Sequence, residues 1–350
     1  MKAWGDGTVS QASGSVGWRQ VGTACDDAAV IDPLERWRRY GEKPDYAGPL
    51  SFGGAPYTQT PSLLAGFDVA ILGAPTDDLV SDRPGTRFGP RAIRAASCPP
   101  GPHLEAGVDA FAQLRVVDYG DAPVLPADPA RSHAAIEETV GEVLDAGLVP
   151  IVLGGDHSIA EPDIRACARR HGPVGLVHFD THTDTGHEVF GVEISHGTPM
   201  HRLVRDGHVD PVRYVQIGLR GYWPGEMEFG WQAEQGITAF FMHDVRDLGI
   251  RHVVERTVAL VGAGPVFLSV DVDVLDPAYA PGTGTPEPGG MTSGELLPAV
   301  RAVAERLDVV GAEVVEVIPT AVGSADVTAL VAERIVREIL TGIALRRRGG

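Results

Sequence analysis

The sequence has few cysteines and few basic residues, and each shortage excludes a class of protein. Its 350 residues include three cysteines, Cys25, Cys98 and Cys167, whose spacing matches neither a disulfide framework nor a cysteine zinc site. Lys and Arg number 29 against 47 Asp and Glu, which gives a net charge of −18. This acidity argues against a nucleic-acid partner, since the basic run at 346–348 is most simply a solvated chain end.

Long apolar runs are lacking as well. No segment approaches the roughly 20 apolar residues that span a bilayer, and the N-terminus has no apolar core of a signal peptide. We therefore expect a cytoplasmic protein with no membrane partner. A hydrophobic content of 43% supports a sizeable core, and α/β sheets of this length often form one domain.

The first 60 residues lack a sustained hydrophobic period and are rich in Gly, Ser, Asp and Pro. They nevertheless include the aromatic residues Trp4, Trp18, Trp37, Tyr40 and Tyr46. Polar tails rarely hold so many aromatic side chains, so we predict an N-terminal arm that packs on the body or on a neighbouring subunit. A partly disordered extension is the alternative.

The rest of the chain alternates predicted strands and helices. Apolar runs predict strands at 68–72, 114–117, 149–153, 174–179, 214–219, 264–270 and 309–317. Helical spacing, a proline at a helix start and a capping box predict helices from residue 90 and over 132–148, 162–170, 292–307 and 326–345. Repeated β–α units predict an α/β fold with a mainly parallel sheet covered by helices on both faces.

Three predicted strands are followed by residues whose side chains can bind metals. These are His157 after 149–153, Asp180, His182 and Asp184 after 174–179, and Asp271 and Asp273 after 264–270. Side chains two apart in an extended chain share one face, so Asp180, His182 and Asp184 are expected to point the same way. Open α/β sheets bind ligands at the carboxyl ends of their strands, so the three groups are expected to meet there.

Four aspartates and two histidines are too many carboxylates for one structural zinc, which usually takes four ligands rich in Cys or His. They fit two divalent ions about 3.5–4 Å apart with bridging carboxylates. Taken singly, the glycines before His157 could serve only a tight turn, and Asp271 and Asp273 could be ordinary strand-end carboxylates. The conjunction of all three groups favours a two-metal hydrolase.

Three segments carry a family resemblance. They are Gly154-Gly155-Asp156-His157, Phe179-Asp180-Thr181-His182-Thr183-Asp184, and Ser269 to Pro277 running on through Pro281 to Pro286. As a set they resemble the signatures of the ureohydrolases, the family of arginases and agmatinases, over roughly residues 65–345. The stretches 83–94 and 195–198 resemble the agmatinase branch more than arginase.

The resemblance implies a three-layer α/β/α fold, with residues 61–350 as a single catalytic domain. It also implies hydrolysis of a guanidino group to urea, assembly into trimers or hexamers, and two divalent ions per subunit, manganese in most members. One ion would be held by His157, Asp180, Asp184 and Asp271, and the other by Asp180, His182, Asp271 and Asp273. Nothing in the sequence distinguishes manganese from nickel, because both accept His and carboxylate ligands.

The resemblance also implies catalytic roles. His196 matches the family's catalytic histidine and is suited to shuttle a proton to the leaving nitrogen, while Asp184 could relay the proton of the attacking water. Glu316 matches the glutamate that grips the guanidinium, and a carboxylate can accept two parallel N–H donors. Asp276 matches the family motif too, but a turn carboxylate is the better interpretation. His178 is interpreted as flanking its strand.

Departures from the family pattern bear on the substrate. Thr181 stands where the family often has Ala, and the acidic residue that agmatinases carry shortly after Glu316 is absent or displaced to Asp326. Tyr222 and Trp223 could close the pocket over a substrate with little or no tail, or could pack a subunit contact. Free guanidine and agmatine-like compounds are therefore the first candidates, with guanidino acids and formimino compounds as alternatives.

Two other classes share parts of this pattern. A deacetylase of the same overall fold holds one zinc with fewer ligands, and a non-catalytic relative acting as a scaffold or sensor should have lost at least one ligand. Retention of His157, His182 and Glu316 favours the binuclear amidine chemistry.

Overall fold

The computed structural model describes residues 29–40, 43–44, 47–98, 101–223, 225–320 and 326–349. Its centre is an eight-stranded sheet in which every strand pairing is parallel. The strands are β1 Val69–Ala74, β2 Val116–Asp121, β3 Val149–Gly154, β4 Val174–Phe179, β5 Val209–Leu219, β6 Thr238–Phe241, β7 Pro265–Asp271 and β8 Asp308–Val315. Their order across the sheet is β2-β1-β3-β8-β7-β4-β5-β6, which confirms the predicted parallel α/β architecture.

Helices connect the strands. They are α1 Gly89–Ala96, α2 Ala110–Gln113, α3 Pro129–Asp145, α4 Ala160–His171, α5 Pro199–Arg205, α6 Glu226–Gln235, α7 Met242–Leu248, α8 Ile250–Val261, α9 Ser293–Arg306 and α10 Val327–Gly349. The predicted capping box is present, with Thr292 as the N-cap of α9 and Glu295 bonded back to it. α3 begins earlier than predicted because the Asp128 side chain caps it by accepting the Arg131 N–H. Across the described ranges, no helix is long and apolar enough to cross a membrane.

The sheet is buried on both faces, which makes three layers. One apolar cluster joins it to helices that include α1, α8, α9 and α10, and the other joins it to α3, α4 and α5. Alternate residues of β1 serve the two sides, since Val69 and Ile71 belong to the first cluster and Ala70 and Leu72 to the second.

The segment before β1 packs on this body where it is described. Ile31 and Tyr57 pair through their backbones, and Phe52 is fully buried with its N–H donating to Asp118. Trp4, Trp18 and Tyr46 lie outside the described residues, so the boundary at residue 60 stays a prediction.

Four adjacent central strands position the candidate site residues that were predicted from the sequence. Across the sheet the order β3, β8, β7, β4 brings their carboxyl ends together. The residues at those ends are His157 after β3, Glu316 after β8, Asp271 at the end of β7 and Asp180 after β4. Topology therefore gathers groups that are more than 150 residues apart in the chain at one edge of the sheet.

Candidate metal centre and active site

The first cluster surrounds the imidazole of His157. Its Nδ1 lies 2.8 Å from Asp184 Oδ2, 3.2 Å from Asp180 Oδ2 and 3.5 Å from Asp271 Oδ2. Its Nε2 lies 2.9 Å from Ser269 Oγ, so a proton there can be donated to the hydroxyl while Nδ1 keeps a free lone pair. These are the four side chains expected for one ion.

The second cluster surrounds His182. Its Nδ1 lies 3.0 Å from Asp273 Oδ2 and 3.6 Å from Asp180 Oδ1. Asp180 therefore presents one oxygen to each cluster, the geometry of a bridging carboxylate. Asp271 Oδ1 accepts the Asp273 N–H at 2.8 Å, which ties the two aspartates of β7 together. The structure thus brings together all six residues predicted as ligands.

The backbone at the site differs from the expected extended run. β4 ends at Phe179, the chain then turns, and Asp184 has a φ of +50°. The chain is therefore not extended through Asp184, although Asp180, His182 and Asp184 all reach the two clusters as expected. Among described residues other than glycine, positive φ occurs at Ala127, Asp184, Phe190 and Glu316, and all but Ala127 belong to the site or its pocket. Such strain concentrates at functional sites.

Sequence reasoning missed the part played by His178. It is fully buried, its Nε2 lies 2.8 Å from Asp180 Oδ2, and its Nδ1 lies 3.0 Å from the Tyr214 hydroxyl. It therefore orients the bridging carboxylate rather than merely flanking a strand. A signal was present, since His178 precedes Asp180 by two residues and so shares its face.

The electrostatics of the clusters show an excess of buried negative charge. Burial, together with Asp273 and Asp180, raises the pKa of Asp271 well above its usual range. Burial and Asp180 raise the pKa of Asp273 to about 6. Burial alone would lower the pKa of His157, but its carboxylate neighbours raise it well above normal. Carboxylates crowded in this way favour a bound cation.

The donor set fits divalent metal ions. Within the described residues, His157 Nδ1 and Asp273 Oδ2 are buried and make no hydrogen bond of suitable geometry, although they face Asp184 at 2.8 Å and His182 at 3.0 Å. Ligand atoms of Asp180, His182 and Asp273 all lie within 4.8 Å of one another. Imidazole and carboxylate together suit Mn²⁺, Ni²⁺ and Zn²⁺ alike.

Glu316 and His196 form a pair beside the first cluster. Glu316 Oε1 accepts the His157 N–H at 2.9 Å and lies 2.9 Å from His196 Nδ1. Oε2 is buried, and the described residues offer it no hydrogen-bond partner. Because Oε1 is already engaged by the protein, Oε2 is the Glu316 oxygen that is left to accept a further donor among the described residues.

Ser81 contacts the second ring nitrogen of His196. Its N–H donates to His196 Nε2 at 3.0 Å, and its hydroxyl lies 2.7 Å away. Burial alone would lower the pKa of His196, but the hydrogen bond to Glu316 raises it to about 9. The Ser81 N–H opposes a second proton on Nε2, so this contact and the hydrogen bond to Glu316 act on the His196 pKa in opposite directions.

A cavity of about 440 Å³ opens onto these residues. It is lined by Ser81, His182, Asp184, Glu188, Val189, Phe190, His196, Gly197, Trp223, Glu228, Asp271 and Thr285. The Trp223 ring stands edge-on to His182 at 6.4 Å between centroids. Tyr222 is fully exposed and does not line this cavity, so it does not close the pocket as considered from the sequence.

Two acidic residues noted in the sequence serve turns and caps. Asp276 accepts the N–H groups of Ala278 and Gly289, as expected for a turn carboxylate. Asp326 accepts those of Thr328 and Ala329 at the start of α10. Asp326 is therefore a helix cap rather than a displaced substrate contact.

Comparison with known proteins decides the family. The model of the Arginase family matches residues 67–342. The chain belongs to the arginase family. Within it, the chain is 42% identical to a guanidinopropionase from Pseudomonas aeruginosa, over 87% of this chain and 94% of that protein. It is 41% identical to a mitochondrial agmatinase from Gallus gallus, over 79% of this chain and 81% of that protein.

A solved structure of the arginase family shows the same fold. Proclavaminate amidino hydrolase from Streptomyces clavuligerus superposes with a TM-score of 0.81 at 36% identity, over 87% of this chain and all of that one. The predicted three-layer α/β/α fold and the predicted family are both confirmed. The protein is accordingly a hydrolase of C–N bonds.

Proposed function

We propose that this protein is a binuclear amidinohydrolase, which hydrolyses a small guanidino compound to urea and either ammonia or an amine. The observation that carries the proposal is Asp180, which presents one carboxylate oxygen to each His-centred cluster beside a cavity. The partnerless Glu316 Oε2 next to the first cluster supports it, because a buried carboxylate oxygen is a natural acceptor for a guanidinium N–H.

The roles of the side chains follow from their contacts. In this proposal His157, Asp180, His182, Asp184, Asp271 and Asp273 are the ligands. A pair of divalent ions, when bound, lowers the pKa of water towards neutrality and so supplies a nucleophile for the guanidinium carbon. Glu316 orients the guanidinium through Oε2, and His196 delivers a proton to the leaving nitrogen. Asp184, 2.8 Å from His157 Nδ1, is near enough to relay the water's proton, and Trp223 forms a wall of the substrate site.

The finer assignment is free guanidine or an agmatine-like compound as substrate, with Mn²⁺ or Ni²⁺ bound in a cytoplasmic homo-oligomer, a trimer or hexamer. Guanidino acids and formimino compounds are the alternatives. The relatives divide on this point, since guanidinopropionase is named for a substrate with a carboxylate tail and agmatinase for one with an amine tail. A single-zinc deacetylase would require one cluster, whereas the described residues form two.

The test is urea release by protein loaded separately with Mn²⁺ and with Ni²⁺. Free guanidine, agmatine and 4-guanidinobutyrate are compared at equal concentration, with metal content measured on the same samples. About two ions per subunit and urea from at least one compound are expected. Two bound ions with no urea from any of them would move the function to another amidine, and one ion would favour the deacetylase.

A further inference from the structure

The outer wall of the active-site cavity is acidic and aromatic. Glu188, Glu228, Phe190 and Trp223 line it, and none of the twelve lining residues is a lysine or arginine. Arg220 donates to backbone carbonyls that include those of Asp273 and Glu287. The wall therefore contributes two carboxylates to the lining and no basic side chain.

Trp223 connects the outer wall to the proposed catalytic residues. Trp223 stands edge-on to His182, and a Cβ at Gly197, beside His196, would lie 3.4 Å from the Trp223 ring. Glu228 is half-buried in the first turn of α6. Phe190 lies in a tight turn closed by paired backbone hydrogen bonds between Val189 and Val192, and Glu188 directly precedes this turn.

The cavity is larger than a guanidinium group requires. About 440 Å³ is within the range of sites that hold drug-sized ligands, and guanidine has four heavy atoms. The same cavity is lined by Asp184 and Asp271 of the metal clusters and by Glu188 and Glu228 of the outer wall. The substrate therefore has room for a tail, and the tail meets the acidic wall.

We propose that Glu188 and Glu228, with the rings of Phe190 and Trp223, form a subsite for a positively charged tail on the guanidino substrate. An ammonium group gains from carboxylates and from the faces of aromatic rings together. A carboxylate tail meets like charge and no donor from a basic side chain, so guanidino acids are rejected. This inference rests on the proposed function and narrows its substrate to an aminoalkylguanidine such as agmatine.

The experiment compares three guanidino compounds of similar length that differ in tail charge: agmatine, 1-pentylguanidine and 4-guanidinobutyrate. In 1-pentylguanidine a methyl group replaces the ammonium of agmatine. We expect kcat/KM to fall in that order, by about tenfold at each step. In Glu188→Gln/Glu228→Gln the preference for agmatine over 1-pentylguanidine should collapse, and Glu188→Lys/Glu228→Lys should favour 4-guanidinobutyrate.

Glu234→Gln is the matched control, because Glu234 is exposed on the same helix as Glu228 and does not line the cavity. It should leave all three kcat/KM values unchanged. Equal turnover of agmatine and 1-pentylguanidine, or preference for 4-guanidinobutyrate by the wild type, would overturn the subsite while leaving amidinohydrolase activity established.

Binding of 1,4-diaminobutane to the metal-loaded protein tests the subsite without turnover. Calorimetry should show affinity about tenfold weaker in Glu188→Gln/Glu228→Gln than in the wild type. Equal affinity in the two proteins would refute the subsite even if none of the three compounds released urea. Absence of urea together with this difference in affinity would instead overturn the proposed reaction and keep the cation site.

Discussion

The binding of two metal ions should depend on individual carboxylates. Asp271 lies 3.5 Å from His157 Nδ1 and holds Asp273 through a backbone hydrogen bond. Asp271→Ala removes one proposed ligand and loosens a second, so metal content should fall well below two ions per subunit and urea release should disappear with it. Elemental analysis of the purified protein measures this directly.

Asp276→Ala is the control for that variant. Asp276 is also an acidic residue of the loop after β7, but its oxygens accept backbone N–H groups rather than facing a histidine. The Asp276→Ala protein should keep both ions. An Asp271→Ala protein with full metal content and full activity would remove Asp271 from the ligand set.

In the proposed reaction Glu316 acts on the substrate rather than on the metal. In Glu316→Gln the Oε1 contact to the His157 N–H can persist, so both ions should remain bound. The charge that faces the guanidinium is lost, and kcat/KM should fall by about 10²–10³. Steady-state kinetics and metal analysis on one preparation separate the two effects. Kinetics equal to wild type would place Glu316 outside the substrate site.

At the scale of elements, the apolar strands and the ligands at their ends could be predicted from the sequence, whereas the side chains on the connections could not. Asp180 and Asp271 come directly after buried β-runs, so strand ends located the ligands. Glu188 lies in a loop and Glu228 in a helix that the hydrophobic period did not reveal. Their meeting depends on how that loop and α6 fold over the sheet edge, which no local pattern encodes.

Helix α1 is anchored to β2 by a buried ion pair. Arg94 donates from Nε and Nη2 to both oxygens of Asp118, and both side chains are at least 94% buried. Arg94→Ala leaves the Asp118 charge inside the protein, so the free energy of unfolding should fall by about 3–5 kcal/mol. Thermal unfolding is the suitable measurement, because urea is the proposed product and guanidinium a candidate substrate.

Arg115→Ala is the matched control. Arg115 pairs with Asp68 at 3.1 Å, but its side chain is 67% exposed. Solvent screening makes such pairs weak, so its melting temperature should stay close to that of the wild type. Equal shifts in the two variants would show that Arg94 contributes no more than a surface pair.

The stability of the whole molecule should depend on the protonation of His133. Its Nε2 lies 3.0 Å from Ser158 Oγ, and burial lowers its pKa to about 4. In the unfolded chain the same group titrates near 6.5, so between these values the unfolded state binds more protons. The contribution is fully present above about pH 6.5 and is lost as the pH falls towards 4, by about 3 kcal/mol in total.

His133→Gln provides the comparison, because an amide can still bond Ser158 and does not titrate. The melting temperature of the wild type should fall relative to this variant between pH 6.5 and 4. Effects of pH on metal binding are common to both proteins and cancel in the difference. Parallel curves for the two proteins would exclude His133 as the titrating group.

The protein carries a net charge of −18, and the outer wall of its proposed active site is acidic as well. A cation approaching it is attracted over a distance set by ionic strength, about 30 Å at 0.01 M salt and about 8 Å at 0.15 M. Added salt should therefore raise KM for agmatine several-fold between these concentrations, since screening weakens attraction to the whole surface.

1-Pentylguanidine separates the effect of the tail's charge from that of the guanidinium, because it carries one positive charge where agmatine carries two. Its KM should rise less over the same range. Potassium chloride in place of sodium chloride checks that the effect is screening rather than sodium binding. Identical salt dependence for the two compounds would mean that the tail's charge is not sensed by the protein's field.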